Sequence, residues 1–325
     1  MTKISDQFRS SSCTITGRSP GGLPAITIDA TISLVLNYGS LSRTFTFRVA
    51  DFRIEYGIKT SMDTWTITGE DALANLGRAN VDISWAAGTL AVDNAEDVCD
   101  LVGVGFTTGI VGLSSTATCN AQTITNGNAL DIVNTLADTE GARILSSGAN
   151  VQWLPRNWQA YVSTVYASDD GTGTNPVKYD VLEFTSMADN FADQVVVNIR
   201  AGNTVTAGTG PYSFSLDTYS VSDAEGEYVA QFELASLDVE TAVPNRIGFT
   251  LTTQTNNGWI DWDIYKKAVI KFRTNTFRAF VLGVTYTGTL SDTRITYSLA
   301  SSEFYEFLIL DDAILGQLDY NKLGW

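Results

Sequence analysis

The chain has 325 residues, 44% of them hydrophobic and 17% charged, enough for one large core or two smaller ones. Twenty Lys and Arg against 36 Asp and Glu leave a net charge of −16, so the averaged field repels phosphate backbones and anionic lipid, and tight nucleic-acid binding is not expected. Histidine is absent, which removes Ser-His and Cys-His nucleophile pairs, imidazole bases and His-containing zinc sites.

Cys13, Cys99 and Cys119 are too widely spaced for a CxxC pair, and their number is odd. They read as small buried hydrophobes in a chain assembled in a reducing cytoplasm. Residues 1–25 hold no apolar signal core, and no apolar run is long enough to span a bilayer. Neither export by a leader nor membrane spanning is expected.

In chain order, residues 26–67 follow a strand period: Ile32, Leu34 and Leu36, then Phe45, Phe47 and Val49, then Phe52, Ile54 and Tyr56, then Trp65 and Ile67. The alternation slips by one residue at Ala50-Asp51. A period-two ladder absorbs such a slip through a bulge or sharp bend, which predicts a strongly bent sheet or small barrel. Thr68 and Asp71 read as a capping box ahead of Ala72 to Leu76, a short helix closed by Gly77. Asp93 and Glu96 open a second helix carrying Val98, Leu101 and Val102. Asn128 caps a third, with Asp131 in its first turn, Leu130, Val133, Leu136 and Ala137 on one face, and Glu140-Gly141 at the stop.

Arg143-Ile144-Leu145 and Val151-Gln152-Trp153-Leu154, joined by turn residues, predict a hairpin packed on that helix. Residues 168–176, rich in Asp, Gly and Thr, predict a linker or mobile loop at a boundary. Strand patterns then return at 195–199, 212–216, 249–253, 269–272, 280–286 and 295–299, with a turn at Asn257-Gly258. The sum is a β-rich α+β protein. One internal echo stands out: Phe47, Arg48, Phe52 and Arg53 share an FRxxxFR pattern with Phe272, Arg273, Phe277 and Arg278, which suggests two related β-domains around an unrelated middle.

Carboxylate pairs are the remaining catalytic option: Glu70-Asp71, Glu225 with Glu227, Glu303 with Glu306, and Asp311-Asp312. None lies in a motif, and Glu70-Asp71 reads better as favourable charge at a helix N-terminus. Trp158, Trp259 and Trp262 fit a buried or interface role first and a sugar platform second. The 169–175 loop places Gly and Thr where a calcium loop needs further oxygen ligands. The four Arg of the echo suggest ion pairs with neighbouring strands or subunits. No cofactor or metal site is read from these residues.

Four segments resemble the hub or tail-associated proteins at the tip of long-tailed bacteriophages, the minor tail proteins of actinobacterial siphophages. Residues 64–76, TWTITGEDALANL, look like the strand that runs into that family's D-x-L-A-x-L helix. Residues 128–144, NALDIVNTLADTEGARI, resemble its A-L-D-x-L-x-x-L-A-x-x-E-G-G segment, and the hairpin through Trp153-Leu154-Pro155-Arg156 resembles G-x-L-x-F-x-x-R. The ending, residues 307–325, FLILDDAILGQLDYNKLGW, is the most specific likeness. Residues 222–244 look short where relatives carry a longer helix before a P-x-R-I strand. Peptidase, lysozyme or fibre extensions of larger relatives are not matched, so no enzymatic role is carried over.

The resemblance implies two small hub-type β-barrel or sheet domains, 1–88 and 177–325, flanking a helix-hairpin α/β middle, 89–176. It further implies a structural, non-enzymatic virion protein assembled in the host cytoplasm. That protein is a homotrimer whose paired β-domains match a sixfold tail tube and distal ring, with the tape measure and other tip or fibre proteins as further partners. An acidic surface suits a channel along which DNA must slide without sticking. The alternative is a receptor- or glycan-binding tail protein. The interface candidates are the eight Phe and Arg of the echo, with Leu315, Leu318, Tyr320, Leu323 and Trp325 in an apolar ending that is expected to dock on a neighbour.

Overall fold

The computed structural model describes residues 2–4, 11–18, 25–59, 62–109, 114–147, 149–156, 158, 162–185, 192–237, 243–288, 292–301, 307–308 and 322–323. The first module contains β1 (Thr2–Ile4), β2 (Ser12–Arg18), β3 (Thr31–Tyr38), β4 (Leu41–Glu55) and β5 (Thr64–Glu70). The order β2-β5-β4-β3 is antiparallel throughout. Gly39, at φ +63°, turns β3 into β4 through the two-residue loop Gly39-Ser40, a conformation that glycine adopts at no steric cost and that matches the strand twist. The expected slip is a β-bulge between Val49 and Asp51. Because Ala50 is the extra residue, Phe45, Phe47 and Val49 before it and Phe52 and Ile54 after it all take the less exposed positions.

The middle unit runs through α1 (Ala72–Arg78), β6 (Asn80–Trp85), α2 (Ala91–Val102), β7 (Gly105–Thr108), β8 (Gln122–Asn128), α3 (Ala129–Glu140), β9 (Arg143–Ser147) and β10 (Asn150–Leu154). Asp71 alone caps α1, accepting from the Ala74 N–H at 3.2 Å, and its second oxygen accepts from the Ser11 N–H at 2.6 Å, tying the helix to β2. Thr68 stays in β5, and the helix runs past Gly77 to Arg78. Asn128 caps α3 as expected, accepting from Leu130 and Asp131, and Gly141 closes it in the left-handed region. The hairpin β9-β10 forms, with β7 added parallel to β10. Leu101, expected on the apolar face of α2, is exposed, whereas Val98 is buried.

The second module contains β11 (Thr164–Ser168), β12 (Val177–Lys178) and β13 (Val181–Thr185). An insertion follows: β14 (Gln194–Ile199), β15 (Thr204–Gly208), β16 (Ser213–Thr218) and α4 (Asp223–Leu237). The module then resumes with β17 (Val243–Thr250), β18 (Lys267–Phe272), β19 (Asn275–Gly288) and β20 (Thr293–Ser301). Among the described residues, twelve strands form one sheet, ordered β13-β17-β20-β19-β1-β2-β5-β4-β3 with β18-β11-β12 branching from β19.

The first module's order recurs in the second: β2-β5-β4-β3 is matched by β17-β20-β19-β18, again antiparallel. In each, a two-residue loop leads into a long strand of 15 or 14 residues, and that strand is bulged against its successor, at Ala50 in one and Leu282 in the other. The repeat is therefore present, but the FRxxxFR echo does not mark it. Phe47 to Arg53 lie within β4, whereas Phe272 to Arg278 straddle the β18-β19 turn, where Arg273 has φ +55°.

Further expectations change with the structure. Strands at 195–199 and 212–216 belong to a separate three-stranded sheet covered by α4, around Val195, Val197, Val205 and Val229. The region 222–244, which looked short, holds the 15-residue α4. Loop 168–176 is neither linker nor boundary, since β11 and β12 on its two sides pair in parallel. Asn257-Gly258 opens a 3-10 turn rather than a hairpin. Glycine is required there because a Cβ would fall 1.8 Å from the Asn175 carbonyl oxygen. The boundaries expected at 88 and 176 cut across cores: Leu73, Leu76 and Trp85 pack with Val98, Val133 and Trp153, and Val165 and Ala167 pack with Val177 and Ile270.

The middle unit and the insertion meet along a polar seam. Arg143 pairs with Glu233 at 3.0 Å, and Thr139 accepts from the Tyr219 N–H at 2.8 Å. Burial beside this seam pushes the Asp138 carboxyl up to about 7, with Arg143 opposing and Glu233 and Asp217 adding to the rise. A carboxyl whose folded value lies above its unfolded one stabilises the fold at low pH and loses that contribution as pH rises through 7. Asp138→Asn should therefore melt higher than the parent at pH 8. The difference should shrink by about 2 kcal/mol on going to pH 5, as measured by urea unfolding at both pH values.

Candidate assembly surface

The two modules meet where β19 pairs with β1. Thr2, Lys3 and Ile4 lie opposite Thr285, Val284 and Gly283, and Thr2 also lies opposite Ser12 of β2. Side chains close the junction beneath. Phe45 packs edge-on against Tyr286 with centroids 5.0 Å apart, and Tyr38 meets Trp259 at 6.3 Å. Arg43 donates to the Trp262 carbonyl, pairs with Asp263 and lies 5.3 Å over the Phe45 ring. Burial pushes the Tyr286 phenol up to about 12 and also raises Tyr297 well above its ordinary value, so both stay neutral.

A cleft of about 180 Å³ opens between Arg43, Asp71, Ser146 and Asp263. Arg43 and Asp71 are already engaged by their own chain, so the cleft offers rigid support rather than a reactive group.

The sequence candidates fall into two clusters, towards opposite ends of the strand order. Phe47 is buried in the junction core and Arg48 is half-buried beside it, so neither presents a free surface. Beyond the bulge, Phe52 is half-buried, and Arg53 is exposed and paired with Glu55 at 3.0 Å. In the other cluster, Phe272 and Phe277 hold Phe184 of β13 between them, with centroids 5.9 and 5.0 Å away. Arg273 lies 4.8 Å over Phe272, and Arg278 is exposed on β19. Leu315, Leu318, Tyr320 and Trp325 lie outside the described residues. Leu323 is described only through its backbone, where β22 (Lys322–Leu323) pairs with β21 (Phe307–Leu308).

The sugar platform is removed: Trp158, Trp259 and Trp262 are buried among the core aromatics, at 3, 1 and 0% exposure. Of the carboxylates, Glu70 pairs with Arg78, Asp71 caps α1, and Glu225 accepts from the Val221 N–H. Glu303, Glu306, Asp311 and Asp312 lie outside the described residues. In the loop at 168–176, Asp170 accepts from Thr172 and from Lys271 at 2.9 Å, which, with Ser168, hold its carboxyl well below the usual range. Among the described residues no His, Cys, Asp or Glu groups gather at metal-binding distance, and no helix is long and apolar enough to cross a membrane.

One apolar surface escaped the sequence reading. The loop between β4 and β5 exposes Tyr56 at 76%, Ile58 at 100% and Met62 at 57%. Its signal was present: apolar residues continue past the end of the alternation into a Gly-containing turn, where they stay exposed among the described residues.

No protein-family model matches the sequence, and no curated protein matches it at a significant level. Solved structures do. The 43 kDa tail protein of prophage MuSo2 from Shewanella oneidensis aligns over 94% of both chains with a TM-score of 0.61 at 14% identity. The tail protein from Neisseria meningitidis MC58 aligns over 94% of this chain and 92% of its own, with a TM-score of 0.64 at 10% identity. The E. coli c3393 protein, a type VI secretion component with structural similarity to T4 bacteriophage tail proteins gp27 and gp5, gives 0.53 over 90% of this chain and 70% of its own, at 10% identity.

At such identities the likeness is one of fold. The chain has the β-rich α+β fold of phage tail proteins.

Arg43 is the polar pin of the module junction. Replacing it with Met should remove the ion pair with Asp263 and one donor from the Trp262 carbonyl and cost about 2 kcal/mol, while Arg43→Lys should recover part of the loss. Denaturant unfolding of the three chains checks this; equal midpoints would remove Arg43 from the account.

Proposed function

We propose that the chain is a structural subunit of a long-tailed phage tail, placed at the tip, where a threefold hub joins the sixfold tube and its distal ring. The observation that carries this reading is the recurrence of one four-stranded order within a single sheet of a chain with the fold of phage tail proteins. Three chains with two such modules each present six similar surfaces, which is what a hexagonal neighbour requires.

In this reading, residues 45–56 and 269–286 supply the ring strands. The α/β units, with the helix at 129–137, pack outside the ring, and the ending at 311–325 docks on a neighbouring surface. The exposed Tyr56, Ile58 and Met62 then meet an adjoining ring, and the net charge of −16 lets DNA pass without adhering. The tape measure and fibre or tip proteins are the remaining partners. The role is mechanical and needs no catalytic group.

Light scattering coupled to gel filtration of the purified chain should return three times the 35.1 kDa chain mass, and labelled particles should carry three copies at the tail tip. Six copies would move the chain to the distal ring, and many copies to the tube.

A further inference from the structure

The repeat carries a more specific consequence, which rests on the trimeric reading above. Within the chain, the edge of β19 just beyond its bulge is occupied by β1, and β1 also reaches β2. The matching edge of β4, Asp51 to Glu55, lies just beyond the bulge at Ala50, and β3 pairs with β4 only up to Arg48. No strand covers that edge among the described residues.

The partner of β2 in the repeat is β17, and β17 carries β13 on its outer side, as β2 carries β1. Among the described residues, β13 pairs with β17 alone, so its far edge is open too. Among the described residues these two edges are unpaired, as are the outer edges of β3 and β12, and the repeat singles out the first two for a head-to-tail contact.

We infer that β13 of one copy adds antiparallel to the Asp51–Glu55 edge of β4 in the next, completing between chains the junction that β1 completes within one. Side chains select the register. On β13, Glu183 is exposed and bonded to Arg246 at 3.1 Å, while Phe184 turns towards Phe272 and Phe277. On β4, Arg53 is exposed and Phe52 and Ile54 are half-buried.

Setting Glu183 opposite Arg53 brings Phe184 to Phe52 and Leu182 to Ile54, apolar against apolar. Arg246, Glu183, Arg53 and Glu55 then form a row of alternating charge. A one-residue slip would exchange the faces, and a two-residue slip would set Glu183 against Glu55. Phe184, 39% exposed in the single chain, would be covered by the neighbour.

The test uses the full chain carrying Arg53→Cys with Glu183→Cys under mild oxidation. The native cysteines are buried, so they leave a quiet background. Dimer and trimer bands on a non-reducing gel, absent from both single variants, are the expected result. A trimeric mass without the cross-link overturns this contact and leaves the threefold reading intact. A monomeric mass without the cross-link removes both, and a ladder running past three keeps the contact and overturns closure at three.

Charge exchange gives an independent readout without cysteines. Glu183→Arg alone should weaken assembly about tenfold or more, and adding Arg53→Glu should restore it. Equal assembly by all three chains would sink the register.

Discussion

A β-strand carries hydrogen-bonding groups along two edges only, and β19 uses both over its length. One edge pairs with β18 and then, past the bulge, with β1; the other pairs with β20. Because β1 also meets β2, the backbone makes a single sheet of two modules that lie far apart in sequence. The bulge at Leu282 makes this possible, since an extra residue increases the local twist and turns the strand away from β18. Phe45, Tyr286 and Arg43 then fix how the first module lies against the second.

The α/β units are held by different means. Glu140 is fully buried, and although burial pushes its carboxyl up, its two oxygens accept from the N–H groups of Thr116 and Ala117, which offset part of that cost. Arg156 donates to the Glu140 carbonyl and lies 4.1 Å over Tyr228 of α4, while Trp85 packs edge-on against Tyr219. Directional bonds of this kind define one arrangement of the insertion on the middle unit, where an apolar seam alone would tolerate sliding.

Local features were legible in the sequence because they depend on neighbours in the chain. The slip at Ala50-Asp51 announced a real bulge, and Asn128, Asp131 and Gly141 announced the ends of α3. What failed depends on contacts between distant residues. Helix α4 has no clean apolar stripe and carries a glycine in its first turn, and its burial comes from Val195, Val197 and Val205 across a sheet. The three tryptophans fit a buried or interface role first and are buried, although composition alone does not say which core encloses them. The loop at 168–176 resembled a linker by composition, yet Asp169 and Asp170 bind Arg273 and Lys271 about a hundred residues away.

The FRxxxFR echo shows why the repeat could not be found by matching letters. Residues in equivalent places need to share a period, a turn and a bulge, and none of those demands a particular side chain. Gly39 and Arg273 open equivalent turns with equal sign of φ, and Ala50 and Leu282 are equivalent bulges, yet neither pair is similar in chemistry. Side-chain identity is constrained instead where the two modules differ. In the proposed contact the first module accepts a neighbour along β4 and the second offers β13, so Arg53 and Glu183 are asked for opposite charge rather than for likeness. The two modules are then held alike by backbone geometry, while their side chains are left free to differ.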